Sequence, residues 1–159
     1  MKVQSWDLED LLCRGYRYAL ALTRDEAAAD DVLQDAWVSV LRTDTAHTPG
    51  ILFRAIRSRF VDRYRRSRLV VITPLDDFDD SGVDSGFDSV IAADTLERIL
   101  GELRPAEREA IYLSAVEGYT HGEIAELTDS TEGAVRIMLF RCKRKLREAI
   151  AAKERRWAG

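Results

Sequence analysis

The chain has 159 residues and a mass of 18.0 kDa, room for one ordinary domain or two small ones. Its 46% hydrophobic and 33% charged content suits packed cores under a solvated surface. No run approaches the roughly 18 apolar residues of a membrane span, which argues against membrane insertion.

The net charge of −4 disfavours a nucleic-acid partner only as an average. Residues 1–73 carry 12 basic and 10 acidic side chains, a net of +2. Residues 74–97 carry 8 acidic and none basic, and residues 98–159 again 12 basic and 10 acidic. Two mildly basic ends therefore flank a strongly acidic middle. The start, Met1 to Asp10, has three acids and lacks the apolar stretch of an export signal. Cys13 and Cys142 lie far apart with no partner spacing, so neither a disulfide framework nor a zinc knuckle is encoded. A cytoplasmic protein is expected.

In chain order, the dominance of Ala, Leu, Arg and Glu predicts helices over about 6–23, 25–42 and 50–68. In the second, Leu33, Trp37, Val40 and Leu41 share one face. Asp31, Gln34, Asp35, Val38 and Arg42 share the opposite one. A mixed polar and apolar outer face suits docking of another protein, and an ordinary solvated face is the plainer alternative. The third holds seven arginines against one aspartate between Arg54 and Arg68. Phe53, Ile56, Phe60 and Tyr64 recur at helical spacing, so that face is expected to pack while the arginines point outward. Aromatics among arginines also suit stacking on unpaired bases. The run Leu69-Val70-Val71-Ile72 is too brief to imply a sheet.

Pro74 to Gly86 mixes self-repelling carboxylates with Gly, Ser and Pro, and is read as a solvated acidic linker. A sharper reading makes it an acidic strap that mimics nucleic acid and covers a basic surface, or threads a basic channel on a partner, with Phe78, Val83 and Phe87 as anchors. Beyond it, helices are predicted over about 90–101, 105–116, 121–127 and 131–153, with Pro105 suited to a first turn. Thr120 caps a short helix, Thr128-Asp129-Ser130 turns, and Thr131 caps a long one. Two helices with a tight turn, the second amphipathic and basic, describe a helix-turn-helix. Ile124, Ala125, Val135 and Leu139 are its expected shared core. Between Arg136 and Arg147 stand six basic residues and no acid, the charge density that phosphate contacts need. A solvated basic helix end is the plainer alternative.

These blocks resemble, in order and spacing, the bacterial ECF sigma factors, small two-domain promoter-recognition subunits of RNA polymerase. Asp30-Asp31-Val32-Leu33-Gln34-Asp35-Ala36-Trp37 is similar to the family's region-two pattern E-D-L-V-Q-E-T-F. Leu52-Phe53-Arg54-Ala55-Ile56-Arg57-Ser58 with Asp62-Arg63-Tyr64-Arg65-Arg66 resembles its W-L-Y-R-I-A-R-N…D-x-x-R-R block. Leu103 to Glu109 resembles the opening of region four. Glu117 to Glu126 and Gly133-Ala134-Val135-Arg136 are similar to E-G-L-S-Y-E-E-I-A-E…G-T-V-K.

The resemblance implies an all-α chain: a region-two helical bundle over 1–73, a flexible acidic linker over 74–93 and a region-four helix-turn-helix over 94–159. It implies core RNA polymerase, promoter DNA and an anti-sigma factor as partners, with no cofactor, metal, small-molecule substrate or catalysis. Asp31, Gln34, Asp35 and Val38 would meet the polymerase clamp helices. Arg54, Arg57, Ser58, Arg63, Arg65 and Arg66 would hold the downstream promoter element. Thr131, Arg136, Arg141, Lys143 and Arg144 would hold the upstream element.

Some positions depart from the pattern. The loop Thr43 to Gly50 is short where the family has a longer base-capturing loop, and Ser58 replaces a common Asn. Ile137-Met138 stands where Ser-Arg is frequent, removing one DNA contact and exposing apolar surface. Asp129 takes a turn position often held by Gly, and Cys142 replaces a usual Ala as a small packing residue. The short loop, Ser58 and the Ile137-Met138 pair favour an alternative, a sigma mimic that sequesters a regulator without opening promoters, whereas the retained clusters Arg54 to Arg68 and Arg136 to Arg147 oppose it. A dimeric helix-turn-helix repressor is a third reading, with no account of the Asp30–Arg42 block.

Overall fold

The computed structural model describes residues 6–68, 98 and 100–159. All regular structure among them is helical. The chain divides into two compact units, Met1–Pro74 and Leu75–Gly159. The expected linker over 74–93 and the run Leu69 to Ile72 lie outside the described residues. Of the helix expected over 90–101, only residues 98, 100 and 101 are described, and they are helical.

The first unit is built from α1 (Leu8–Thr23), α2 (Glu26–Leu41) and α3 (Pro49–Arg68). Helix α1 stops where Arg24 turns left-handed, φ 52°, and its N–H reaches back to the Leu20 carbonyl. One residue later, Asp25 Oδ1 accepts from the Ala28 N–H at 3.0 Å and starts α2, as a short oxygen-bearing cap should. Thr48 Oγ1 does the same for Ile51 at 3.3 Å, and Pro49 fills the first position of α3, where its missing N–H costs nothing.

The three helices meet along Leu11, Tyr18 and Leu22, Ala29, Val32 and Ala36, and Leu52, Phe53 and Ile56, all buried. Each large member contributes about 1.5–3 kcal/mol relative to exposure. Tyr18 and Phe53 pack ring to ring at 4.7 Å. Gly15 sits where the helices crowd: a Cβ there would lie 2.8 Å from Leu52 Cδ2 and 3.0 Å from Leu33 Cδ1. The face expected from Leu33, Trp37, Val40 and Leu41 needs correction. Leu33 and Val40 are buried, but Leu41 is 54% exposed, and Ala29, Val32 and Ala36 complete the inner seam.

The second unit holds α4 (Pro105–Ala115), α5 (His121–Leu127) and α6 (Glu132–Trp157). After α4 the chain reverses through Gly118 at φ 71°, a conformation glycine adopts without strain. Thr120 and Glu123 form a reciprocal capping box at the start of α5. The final helix continues to Trp157 rather than stopping near 153, because Ala151, Ala152 and the following charged residues are good helix formers with no Gly or Pro before Gly159.

Candidate nucleic-acid interface

The turn between α5 and α6 decides what α6 can present. Thr128 Oγ1 donates to the Ile124 carbonyl at 2.7 Å, and the Ser130 N–H donates to the Ala125 carbonyl at 2.9 Å. Asp129 between them has φ 53°, the left-handed geometry that short polar side chains tolerate. Thr131 Oγ1 then accepts from the Ala134 N–H at 3.1 Å and opens α6. Ile124, Ala125, Val135 and Leu139 are all buried, so the two helices share the expected core.

With Val135, Leu139 and Cys142 facing inward, the helical period turns positions 133, 136, 137, 140, 141 and 144 away from the core. Arg136, Arg141, Lys143 and Arg144 are exposed. Arg136 pairs with Glu132 at 3.5 Å and Arg144 with Glu148 at 3.9 Å, both along the helix surface. Such exposed pairs contribute about 0.3–0.5 kcal/mol, little enough for a phosphate to displace them. The hydroxyl of Thr131 is engaged in capping.

Lys145 belongs elsewhere. Its Nζ lies 2.9 Å from both carboxylate oxygens of Glu107, a residue 8% exposed. Cys142 Sγ contacts the Glu107 carbonyl at 3.4 Å, and Arg104 Nε approaches its Oε1 at 4.0 Å. Burial, and then the Glu107 carboxylate, pushes the Cys142 thiol from 9.0 up to about 12. Glu107, Arg108 and Glu109 are all buried, and Arg108 Nη1 donates to the Leu103 carbonyl at 2.7 Å. Three successive charged residues in a core escape sequence reading, because charged side chains are rarely interior. The one available signal was Glu107 in a helix first turn, where an acid suits the dipole.

In the first unit, Asp31, Gln34, Asp35 and Val38 are exposed and follow one helical line on α2. Gln34 Nε2 donates to Asp30 Oδ2 at 3.4 Å. On α3, Arg54, Ser58, Arg63, Arg65 and Arg66 are exposed and Arg57 half-buried. They do not form a single face. Arg54, Ser58 and Arg65 fall opposite the core line of Leu52 and Ile56, whereas Arg63 reaches α2 and pairs with Asp31 at 3.5 Å. Phe60 and Tyr64 are half-buried, with ring centroids 6.1 Å apart, so the packing face continues beyond Ile56. In the short loop, the exposed His47 meets Trp37 edge-on at 5.4 Å.

Among the described residues, no group of three or more His, Cys, Asp or Glu is arranged to hold a metal ion, and no helix is long and apolar enough to cross a membrane.

A capped helix-turn-helix with an outward cationic helix is the arrangement of a DNA-binding module, and the other unit is a three-helix bundle with arginines on its third helix. Residues 93–146 match the model of the "Sigma-70, region 4" family. The chain is 33% identical over 147 residues to RNA polymerase sigma factor CarQ of Myxococcus xanthus, covering 84% of this chain and 80% of that one. It is 31% identical over 143 residues to ECF RNA polymerase sigma factor SigL of Mycobacterium tuberculosis, covering 83% and 80% respectively. The fold is similar to that of sigma factor RpoE in its co-crystal structure with the anti-sigma factor NepR from Bartonella quintana. There the TM-score is 0.66 at 20% identity, over 91% of this chain and 94% of that one. The chain belongs to the ECF RNA polymerase sigma factors.

Proposed function

We propose that this chain binds core RNA polymerase and directs promoter-specific initiation of transcription, acting in the cytoplasm as a recognition subunit with no catalysis of its own. Residues 1–73 serve as the polymerase-binding and downstream-element module, and residues 94–159 as the upstream-element module. Asp31, Gln34, Asp35 and Val38 form the polymerase contact. Arg54, Arg57, Ser58, Arg65 and Arg66 hold the downstream element, with Arg63 joining them once it leaves Asp31. Arg136 reaches base edges or phosphate of the upstream element, and Arg141, Lys143 and Arg144 hold phosphates, while Thr131 sets the start of the recognition helix. An anti-sigma factor that covers these surfaces is the expected regulator, in keeping with the NepR-bound state of the structural neighbour.

The observation that carries this reading is the outward cationic face of α6 on a firmly capped helix-turn-helix. Full-length chain mixed with core polymerase is expected to co-purify with it and to support run-off transcription from a cognate promoter. Polymerase binding without transcription from any promoter of a genomic pool would favour the sigma-mimic alternative.

A further inference from the structure

The outer face of α6 carries something that phosphate binding does not require. Ile137 is 55% exposed and Phe140 66% exposed, within the first turns after the Thr131 cap. Because Val135, Leu139 and Cys142 set the inner line, the helical period puts Ile137 and Phe140 on the opposite side. Gly133 precedes them there, with nothing within 4 Å of the place a Cβ would take. Arg136 lies on one flank of this strip and Arg141 on the other, both exposed.

An apolar strip bordered by cations on both sides suits a groove whose walls are phosphates and whose floor holds methyl groups. The DNA major groove is that surface: it admits a helix, and the thymine C5-methyl is the apolar group it presents. An apolar partner protein would give the two bordering arginines nothing to neutralise.

We propose that Ile137 is a specificity-determining residue that reads a thymine methyl in the upstream promoter element, with Phe140 packing beside it. The inference rests on the reading of α6 as a major-groove helix and adds to it the base preferred at one step. The Ile137-Met138 pair then replaces a polar contact with an apolar one and keeps the helix functional. One methyl removed from water is worth about a fourfold change in affinity.

The test uses full-length chain assembled with core polymerase and a promoter pool randomised across the upstream element. Sequencing of the bound fraction is expected to show a thymine enriched at one position. Replacing that thymine by deoxyuridine, which lacks only the methyl, should weaken holoenzyme binding about fourfold. The Ile137→Ala holoenzyme should bind the thymine and uracil probes equally, with helical content unchanged because the side chain is exposed. No enriched thymine, equal binding of both probes by the unaltered chain, or discrimination that survives Ile137→Ala would each overturn the proposal. Discrimination lost only in Phe140→Ala would also overturn it. A holoenzyme that selects no sequence at all would overturn the promoter-binding reading as well, and so separates the two failures.

Discussion

Arg63 of α3 and Asp31 of α2 pair at 3.5 Å, joining a residue proposed for DNA to one proposed for polymerase. The two side chains are 44% and 63% exposed, and a pair this solvated contributes at most about 1 kcal/mol. Each partner is therefore available to a stronger counterpart, a clamp cation for Asp31 or a phosphate for Arg63.

Replacing Asp31 and Asp35 together by lysine should weaken binding to core polymerase at least about tenfold while unfolding stability changes by less than about 1 kcal/mol. Titration against core polymerase and thermal unfolding of the free chain measure the two effects. A chain that loses its fold after this change would contradict the outward placement of both residues.

Lys145 and Lys143, two residues apart on α6, should behave differently. Lys145→Ala removes the short contacts of the buried Glu107 carboxylate, leaving it Arg104 at 4.0 Å and the Cys142 thiol at 3.8 Å, and should cost roughly 1–3 kcal/mol of stability. Lys143→Ala should leave stability within about 0.5 kcal/mol. It should also lower promoter affinity across all sequences and reduce the salt slope by about one. Denaturant unfolding combined with binding at several salt concentrations separates the roles, and equal effects of the two substitutions would contradict them.

The Cys142 thiol, pushed up to about 12, keeps its proton in the fold to higher pH than in the unfolded chain. Its contribution is therefore complete below the unfolded value of 9.0 and is lost as pH rises from there towards about 12. Between about pH 9 and 11 the native chain should lose stability faster than Cys142→Ala, by up to about 1.4 kcal/mol per pH unit. Parallel curves would contradict this. The exposed Cys13 should react with a thiol reagent in the native state, and the buried Cys142 only on unfolding.

Two glycines test the packing. Alanine at Gly15 gains helix propensity but forces a methyl to 2.8 Å from the buried Leu52, and overpacking of this kind costs about 1–3 kcal/mol. Alanine at Gly50, in the first turn of α3 with nothing within 4 Å, should instead stabilise by about 0.5–1 kcal/mol. Denaturant midpoints should move in opposite directions, and a rise for Gly15→Ala would contradict the close crossing of the three helices at Gly15.

The elements were legible in the sequence wherever a cap announced them. Thr120 and Thr131 each accept the backbone N–H that their position promises, and Pro105 opens its helix. The turn at Asp129 was legible for the same local reason. Faces were less so where they depended on a partner's length: Leu41 has the right period but ends exposed, and Arg63 belongs to a charge run yet reaches the neighbouring helix. The Glu107–Lys145 pair, 38 residues apart, was not legible at all, since nothing local distinguishes a lysine on phosphate from one held by a buried acid. Gly15 was not legible either: an isolated glycine in a helical pattern only weakens the helix prediction, and it is the packing that brings Leu52 and Leu33 against it.

In the proposed function, two helical modules, once held by polymerase, grip and open a gene's start site. Permanganate reactivity of unpaired thymines, mapped over a genomic fragment pool, tests it most directly. Core polymerase with this chain should produce discrete bubbles at a defined set of sites, absent with core alone and greatly reduced with Arg136→Glu. Stable association with polymerase and no bubble on any fragment would contradict it.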